Sequence, residues 1–479
     1  MKTFVTKNCP VDLLPFEKST PALIEEQVAQ SLREGCDEPF LICNLGDVIQ
    51  KYKRWVQLLP RVKPFYAVKC NDDLAVLKVL ADCGANFDCA SKNEIQKVLS
   101  LDINADRIIY ANPCKQASML KYAAKHDVEM MTFDNEAELH KVKALYPQAK
   151  LVLRILPPSN FKVQCELGIK FGCHPSKALP LLQTAQALGL NVMGVSFHVG
   201  SGCAEAGAFD VAIQQARQVF DLAVEMGFDM SLLDIGGGYP GTDNAPITFS
   251  EIAEVINVAL DKYFPEDSNI EVIAEPGRYM IASAITIGVN IIAKRIVARD
   301  QHGENGELMD APTMSDEPAI MYYVNDGVYG SFNCVLFDHQ VVSACSLKSS
   351  KDEMTYESSI WGPTCDGIDC IMQTVQLPMH DVGEWFYFED MGAYTVSAAS
   401  TFNGMDGPAR KYYYCLQSDW QQKLPQPVKA AVGIPIKKVP AMKTGHSLKD
   451  TYLSSSLIED QSSSFNESIM FGDLEWVQN

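Results

Sequence analysis

The segment PFYAVKCND puts Lys69 at the end of an apolar, β-prone run. An ammonium is costly there unless it is used: desolvation lowers its pKa and makes the amine a Schiff-base nucleophile, although a lysine snorkelling to the rim of a sheet gives the same pattern. LDIGGGYPG supplies Gly236, Gly237 and Gly238 in a row. Without Cβ atoms their N–H groups can face a phosphate, or they can simply make a tight turn. The formal G-x-G-x-x-G from Gly236 to Gly241 is a poor dinucleotide fingerprint, because Pro240 and GTDNAPIT separate it from the helix signal at Thr248. AEPGR sets Glu275 and Arg278 around a Pro-Gly bend, either as an anion and a phosphate clamp facing different atoms or as a mutual pair. SFHVGSG places His198 at a strand end, as a satisfied core group or as a flat ring able to stack on another, with Ser201 in the small-residue loop that follows.

A lysine nucleophile, a phosphate cradle, an anion and a planar side chain together are the parts pyridoxal phosphate requires: an amine for its aldehyde, an acid at its pyridine nitrogen and donors for its phosphate. A metal explains the set less well. There is no HExxH, and Cys365 and Cys370 stand five apart without a second pair, so no metal site is expected. IWGPTCDGIDC puts Cys365 beside Asp366 in a loop, as an inert thiol or a functional one; VLFDH offers Asp338, and GAYTV offers Tyr394 as a further donor.

From Phe65 to Gly277 a short β-branched or aromatic run alternates with a longer amphipathic stretch. The runs are 64–69, 86–91, 108–113, 130–134, 150–155, 192–198, 232–238 and 272–277. Eight βα units predict an α/β fold, a closed (β/α)8 TIM barrel, with a doubly wound sheet as the alternative. Lys69, Arg154, His198, the three glycines and Glu275 fall at the C-terminal ends of these strands, and Asp88 is close to one. Barrel enzymes keep their active sites on that face. Thr248 and Glu251 make a possible capping box. Beyond Arg278, the runs 285–298, 320–326, 384–390 and 412–416 lack helical patterns between them and predict a second, mostly antiparallel β domain, with 40–45 expected to pair into it. The expected division is 46–283 for the cofactor-binding barrel, 1–45 with 284–428 for the β domain, and 429–479 for a flexible Ser/acid-rich C-terminal tail. Residues 300–318 are expected to be an acidic disordered loop.

The chain has 479 residues, with 40 Lys and Arg against 60 Asp and Glu, a net charge of -20. That field repels nucleic acid and anionic lipid and favours a cationic partner. No window reads as a membrane span or a secretory signal, and 15 cysteines without a CxxC suit a reducing compartment, so a cytoplasmic protein that binds neither membrane nor nucleic acid is expected.

PFYAVKCN, FDCASK, YANPCKQ, SFHVGSG, DIGGGYPG, AEPGR, YYVNDGVYGSFNC, WGPTCDG and GAYTVSAASTFNG closely resemble the eukaryotic ornithine decarboxylase family, of the group IV, alanine-racemase-like decarboxylases, from about Asp47 to Gly404. The resemblance implies a head-to-tail homodimer with shared active sites that uses pyridoxal 5'-phosphate to convert L-ornithine to putrescine and CO2, the first step of polyamine biosynthesis. By resemblance Lys69 carries the cofactor, Glu275 holds the pyridine nitrogen and His198 stacks on the ring. Ser201, Gly237, Gly238, Arg278 and Tyr394 hold the phosphate, and Asp88 and Arg154 are further cofactor-site residues. Asp338 and Asp366 come from the partner to bind the distal ammonium, with Cys365 beside them as proton donor. The family usually has Tyr at the position of Phe337, next to the substrate aspartate, and altered affinity or dimer strength is expected from the missing hydroxyl. Decarboxylation of lysine or arginine, and an inactive antizyme-inhibitor-like homologue, are the alternatives. Lys92, Lys121 and Lys141 match basic positions of the family's antizyme-binding surface, or else form a solvated helix face.

Overall fold

The computed structural model describes residues 2–6, 9–158, 161–165, 167–298, 318–348 and 354–422. The expected acidic loop, apart from its last residue Pro318, and the expected tail lie outside the described residues.

Eight parallel strands close into a barrel: β1 (Val62–Ala67), β2 (Asn86–Cys89), β3 (Ile108–Tyr110), β4 (Met130–Phe133), β5 (Lys150–Arg154), β6 (Asn191–Ser196), β7 (Leu232–Asp234) and β8 (Glu271–Ala274). β8 pairs with β1 to complete the ring. Every expected run overlaps one of these strands, with β1, β6 and β8 each beginning before their runs at 64, 192 and 272. The run at 64–69 is corrected in detail, since β1 stops at Ala67 and Lys69 lies in a single 3-10 turn, Val68–Cys70.

The two-residue period of the strands decides what faces inward. Phe65, Ile109, Val152, Leu232 and Ile273 form one small buried cluster, the barrel interior, while Tyr66, Val68, Phe87, Cys89, Leu151 and Leu153 belong to the main core. One pleat beyond the inward positions come Ala67, Arg154, Asp234 and Glu275. Polar side chains therefore replace apolar ones where the interior opens at its C-terminal mouth.

Helices return between the strands with explicit start and stop signals. Phe249–Tyr263 opens on the expected capping box: Thr248 Oγ1 accepts from the Glu251 N–H at 3.3 Å, and Glu251 Oε2 accepts from the Thr248 N–H at 2.8 Å. No helix follows Gly241 directly, in keeping with the rejected dinucleotide reading. Leu74–Cys83 ends on Gly84 at φ 107°, a left-handed closure that glycine takes without Cβ strain.

The remaining strands build a ten-stranded sheet. Its main path runs Lys2–Thr6, Cys9–Leu14, Arg410–Leu416, Phe40–Asn44, Ile285–Ala298, Pro318–Val324, Thr355–Trp361 and Cys370–Pro378. Cys345–Ser346 and Trp385–Phe388 complete it beside Ile285–Ala298. Most pairings are antiparallel, but Arg410–Leu416 runs parallel to both its neighbours, and Pro318–Val324 runs parallel to Thr355–Trp361. Phe40–Asn44 pairs into this sheet as expected, and Asn44 then caps the helix Leu45–Leu58 by accepting from the Gly46 and Asp47 N–H groups.

Candidate active site

The mouth of the barrel gathers Lys69, Asp88, Arg154, His198, Asp234 and Glu275. Lys69 Nζ is ion-paired with Asp88, whose carboxyl is 0% exposed. Burial alone works against the Lys69 charge, yet the Asp88 carboxylate and then Glu275 outweigh it and hold the ammonium above its ordinary range. This reverses the lowered pKa expected from desolvation. Asp88 Oδ1 is buried without a hydrogen-bond partner, while the Lys69 side chain is 36% exposed and keeps one face of the pair open to a ligand.

Asp234, at the end of β7, and Glu275, just past the end of β8, are 1% and 5% exposed. The two carboxyls act on each other's charge, and Asp234 Oδ2 is buried with no hydrogen-bond partner. Burial first, then the other's charge for Glu275, raises both above the carboxylate range; Lys69 and Arg154 pull back on Glu275 without reversing it. His198 is pushed the opposite way, well below its ordinary value, by burial and by the Arg154 and Lys69 charges. It is therefore a neutral ring. Its Nδ1 accepts from the Gly200 N–H at 3.1 Å, which leaves the proton on Nε2.

The glycines pack against that ring. A Cβ on Gly237 would stand 2.7 Å from His198 Nε2 and 2.8 Å from the Glu275 carbonyl oxygen, and Gly238 has φ +121°. These positions require glycine. Arg278 Nη2 donates to Ser201 Oγ at 2.9 Å, and its guanidinium lies 5.1 Å from the Tyr394 ring centroid. Arg278 Nε is buried without a partner. Tyr394 holds φ 56°, uncommon for a bulky residue, and its N–H donates to the Cys70 carbonyl at 2.9 Å. The lysine with an open face, the buried acid, the flat neutral ring and an arginine with an orphan donor beside a glycine cradle fit pyridoxal phosphate.

Glu275 and Arg278 do not pair with each other, although the sequence left that reading open. Arg278 pairs instead with Asp338, at 2.9 Å to Oδ1 and 2.7 Å to Oδ2. The resemblance draws Asp338 from a partner subunit; here it stands on the same chain's arginine. Cys165 Sγ lies 3.4 Å from Asp338 Oδ1, and the Gln164 side chain donates to the Asp338 carbonyl. Both belong to the strand Val163–Cys165, which pairs with Ser201–Cys203.

Cys365 and Asp366 are placed elsewhere. Cys365 is exposed and its N–H donates to Asn403 Oδ1 at 3.0 Å, while Asp366 accepts from the Tyr329 hydroxyl. Among the described residues no hydrogen bond or ion pair joins either to the barrel mouth. The buried Asp369 shapes their loop by accepting from the Val328 and Thr364 N–H groups and the Thr364 hydroxyl. Phe337 is 74% exposed, with Leu336 and Val341 also exposed beside it in sequence.

Sequence reasoning missed Asp234, Asp369, Gln164 and Cys165. Asp234 carried a signal, because it stands two residues beyond the inward-facing Leu232. The other three owe their positions to loops and a short two-stranded ribbon, and nothing in their spacing announces it. Of the three lysines matched to a binding surface, Lys141 is paired with the buried Glu138 and Lys92 lies 5.1 Å from the Tyr122 ring centroid.

The family described as pyridoxal-dependent decarboxylase, pyridoxal binding domain, matches residues 45–282. An ornithine decarboxylase of Mus musculus is 52% identical over 422 residues, 88% of this chain and 90% of that protein. An antizyme inhibitor 2 of Xenopus laevis is 52% identical over 383 residues, 80% of this chain and 82% of that protein. The crystal structure of the Paramecium bursaria Chlorella virus arginine decarboxylase superposes with a TM-score of 0.74 at 33% identity, covering 82% of this chain and all of that one.

Proposed function

Because the chain belongs to the ornithine decarboxylase family of pyridoxal-dependent, alanine-racemase-like decarboxylases, we propose that it releases CO2 from L-ornithine to leave putrescine, at the entry to polyamine synthesis, as a cytoplasmic homodimer. The observation that carries this reading is the joint presence at the barrel mouth of Lys69 on Asp88, Glu275, neutral His198, and Arg278 beside the glycine cradle. Among the described residues no helix is long and apolar enough to cross a membrane.

Bound pyridoxal phosphate supplies the electron sink for the bond pair that stays behind when CO2 leaves. The chain's own residues do the rest. Lys69 Nζ is the covalent anchor, and the Asp88 carboxylate holds its proton until the amine is needed. Glu275 would hold negative charge at the ring nitrogen and so keep a proton there. His198, uncharged, would cover one ring face without adding a cation to compete for the electrons. Ser201 Oγ, the Gly237 and Gly238 N–H groups, the orphan Arg278 Nε and the Tyr394 hydroxyl hold the phosphate. Asp338, with the partner subunit's Asp366, would receive the substrate's distal ammonium, and an amino acid lacking that charge would forgo both charge-assisted contacts. The partner subunit's Cys365 returns a proton to Cα.

A catalytically inactive antizyme-inhibitor-like protein is the second reading, favoured by the Xenopus laevis relative of equal identity. Retention of Lys69, Asp88, Arg154, His198, Arg278, Asp338 and Cys365 speaks for the enzyme. The experiment is to purify the protein, record visible absorbance in wild type and Lys69→Ala, and measure CO2 and diamine release from ornithine, lysine and arginine separately. A lysine-dependent chromophore and fastest turnover of ornithine are expected. Absence of the chromophore overturns the enzyme reading, and faster turnover of lysine or arginine overturns the substrate.

A further inference from the structure

Asp234 lies with Glu275 at the barrel mouth and is the more deeply buried of the two, 1% exposed against 5%. The strand pleat aims it inward: β7 pairs in register with β6 at Ser196↔Asp234 and with β8 at Asp234↔Ile273. Its main chain is fixed by the Phe197 N–H, which donates to the Asp234 carbonyl at 3.1 Å. Oδ1 accepts from the Gly236 N–H at 2.9 Å. The Gly236 carbonyl in turn accepts from the Glu275 N–H at 2.7 Å, so Glu275 is fixed two residues beyond Ile273, the register partner of Asp234. Oδ2 is buried with no hydrogen-bond partner, and the two-residue period turns it to the same face as Glu275.

Two buried carboxyl groups on neighbouring strands, turned to the same face and out of water, resist ionising together, which favours one proton shared between them. The groups facing the pair are Asp88 from β2, Lys69 after β1, Arg154 from β5 and the buried Tyr239 hydroxyl, with neutral His198 nearby. Among these Asp88 already answers Lys69, which leaves Asp234 as the acid whose charge weighs most on Glu275. If Glu275 carries the proton, the ring nitrogen faces a neutral acid. If Asp234 carries it, Glu275 faces the ring as an anion and still receives a hydrogen bond from Asp234.

We propose that Asp234 is a positioning residue that keeps the shared proton and donates it as a hydrogen bond to Glu275, so that Glu275 meets the cofactor's ring nitrogen as a fixed anion. The pair's total charge is unchanged by this arrangement, and no proton enters or leaves the site. The inference rests on the reading of Glu275 as the ring-nitrogen partner.

Asparagine mimics the protonated acid: its Oδ1 accepts from Gly236 and its Nδ2 donates to Glu275, with no proton to lose. Cofactor dissociation constants measured by equilibrium dialysis at several pH values are expected to stay within about threefold of wild type for Asp234→Asn and to weaken at least about tenfold for Asp234→Ala, the scale of one lost charge-assisted hydrogen bond. In a Glu275→Gln background, where no anion needs support, the alanine substitution is expected to add little; a residue serving only the Gly236 turn would cost the same in both backgrounds. An arm independent of the cofactor uses melting temperature of the cofactor-free protein. Both carboxyls titrate above their unfolded values, so wild type is favoured at acid pH and loses that stability as pH rises through the folded values. Asp234→Asn removes the repulsion. Its melting temperature should therefore gain on wild type between pH 5 and pH 8.

A wild type that takes up no cofactor defeats the functional reading, while a melting difference that does not change with pH defeats the shared proton. Asp234→Ala binding as tightly as wild type, Asp234→Asn binding as weakly as Asp234→Ala, or an undiminished penalty in Glu275→Gln defeats the positioning role.

Discussion

Gly237 has no room for a methyl group, since the atoms it would strike are the His198 ring and the Glu275 main chain rather than the end of a flexible side chain. Gly237→Ala must displace His198 or widen the gap between the loops that follow β6 and β7. Either movement opens the face the ring is meant to cover. The expected outcome is a cofactor dissociation constant raised by at least about tenfold, with a melting temperature of the cofactor-free protein lowered by a few degrees at most, the range for overpacking at a loop that can give. Equilibrium dialysis and thermal scans on the same preparation check it, and unchanged affinity would show that the cradle is looser than its geometry. The same residue explains what was visible in LDIGGGYPG. Three glycines signal close approach of backbone to something, but the object approached here includes the protein's own His198 as well as any phosphate.

Elements are held in place by polar groups as well as by the apolar core. Lys115, in the loop after β3, is fully buried; its Nζ reaches the Thr132 carbonyl at 2.7 Å, the Asn112 carbonyl at 3.1 Å and Glu138 at 2.9 Å. It thereby ties β3, β4 and the helix Glu136–Leu145 together. Burial pulls the ammonium below its ordinary range and Glu138 pulls it back up. Lys115→Met leaves Glu138 buried with Lys141 as its remaining cation, and a loss of about 3–5 kcal/mol in unfolding free energy is expected from chemical denaturation. A loss below about 1 kcal/mol would show that Lys141 alone satisfies the acid. Nothing in YANPCKQ distinguishes this lysine from an exposed one, because its partners arrive from two later elements. The barrel was legible for the opposite reason: each strand is a local apolar run bounded by its own helix signals, so the repeat survives without long-range information. The sheet was only half legible. Ile285–Ala298 is long and uniformly β-prone, whereas Cys9–Leu14 gains its strand identity from pairing with Arg410–Leu416 at the far end of the described chain, and Lys2–Thr6 from pairing with Cys9–Leu14 in turn. The placement of Asp338 was not legible for the same reason, since its contact with Arg278 joins residues 60 apart.

At the scale of the whole molecule, the residues that the family resemblance assigns to one reaction stand in two places. Lys69, Glu275 and Arg278 converge at the barrel mouth with Asp338, while the exposed Cys365 and its neighbour Asp366 are organised by Tyr329, Asp369 and Asn403 in the sheet region. If a second copy supplies the missing pair, each complete site combines the lysine of one chain with the cysteine of another, and the exposed apolar side chains of Leu336, Phe337 and Val341 are candidates for burial between them. This geometry makes a prediction that a self-contained site does not. Lys69→Ala and Cys365→Ala homodimers each carry two defective sites and should form little putrescine. Mixed and allowed to exchange chains, half of the dimers become heterodimers, and one site in each heterodimer holds both intact residues. Roughly a quarter of all sites should then be restored, so putrescine formation should recover to roughly a quarter of the wild-type rate at equal total protein. Dilution below the dimer dissociation constant should abolish the recovery. No recovery from chains shown by sedimentation to exchange would place Cys365 in the same site as its own Lys69, and would require the sheet region to move against the barrel mouth within one chain.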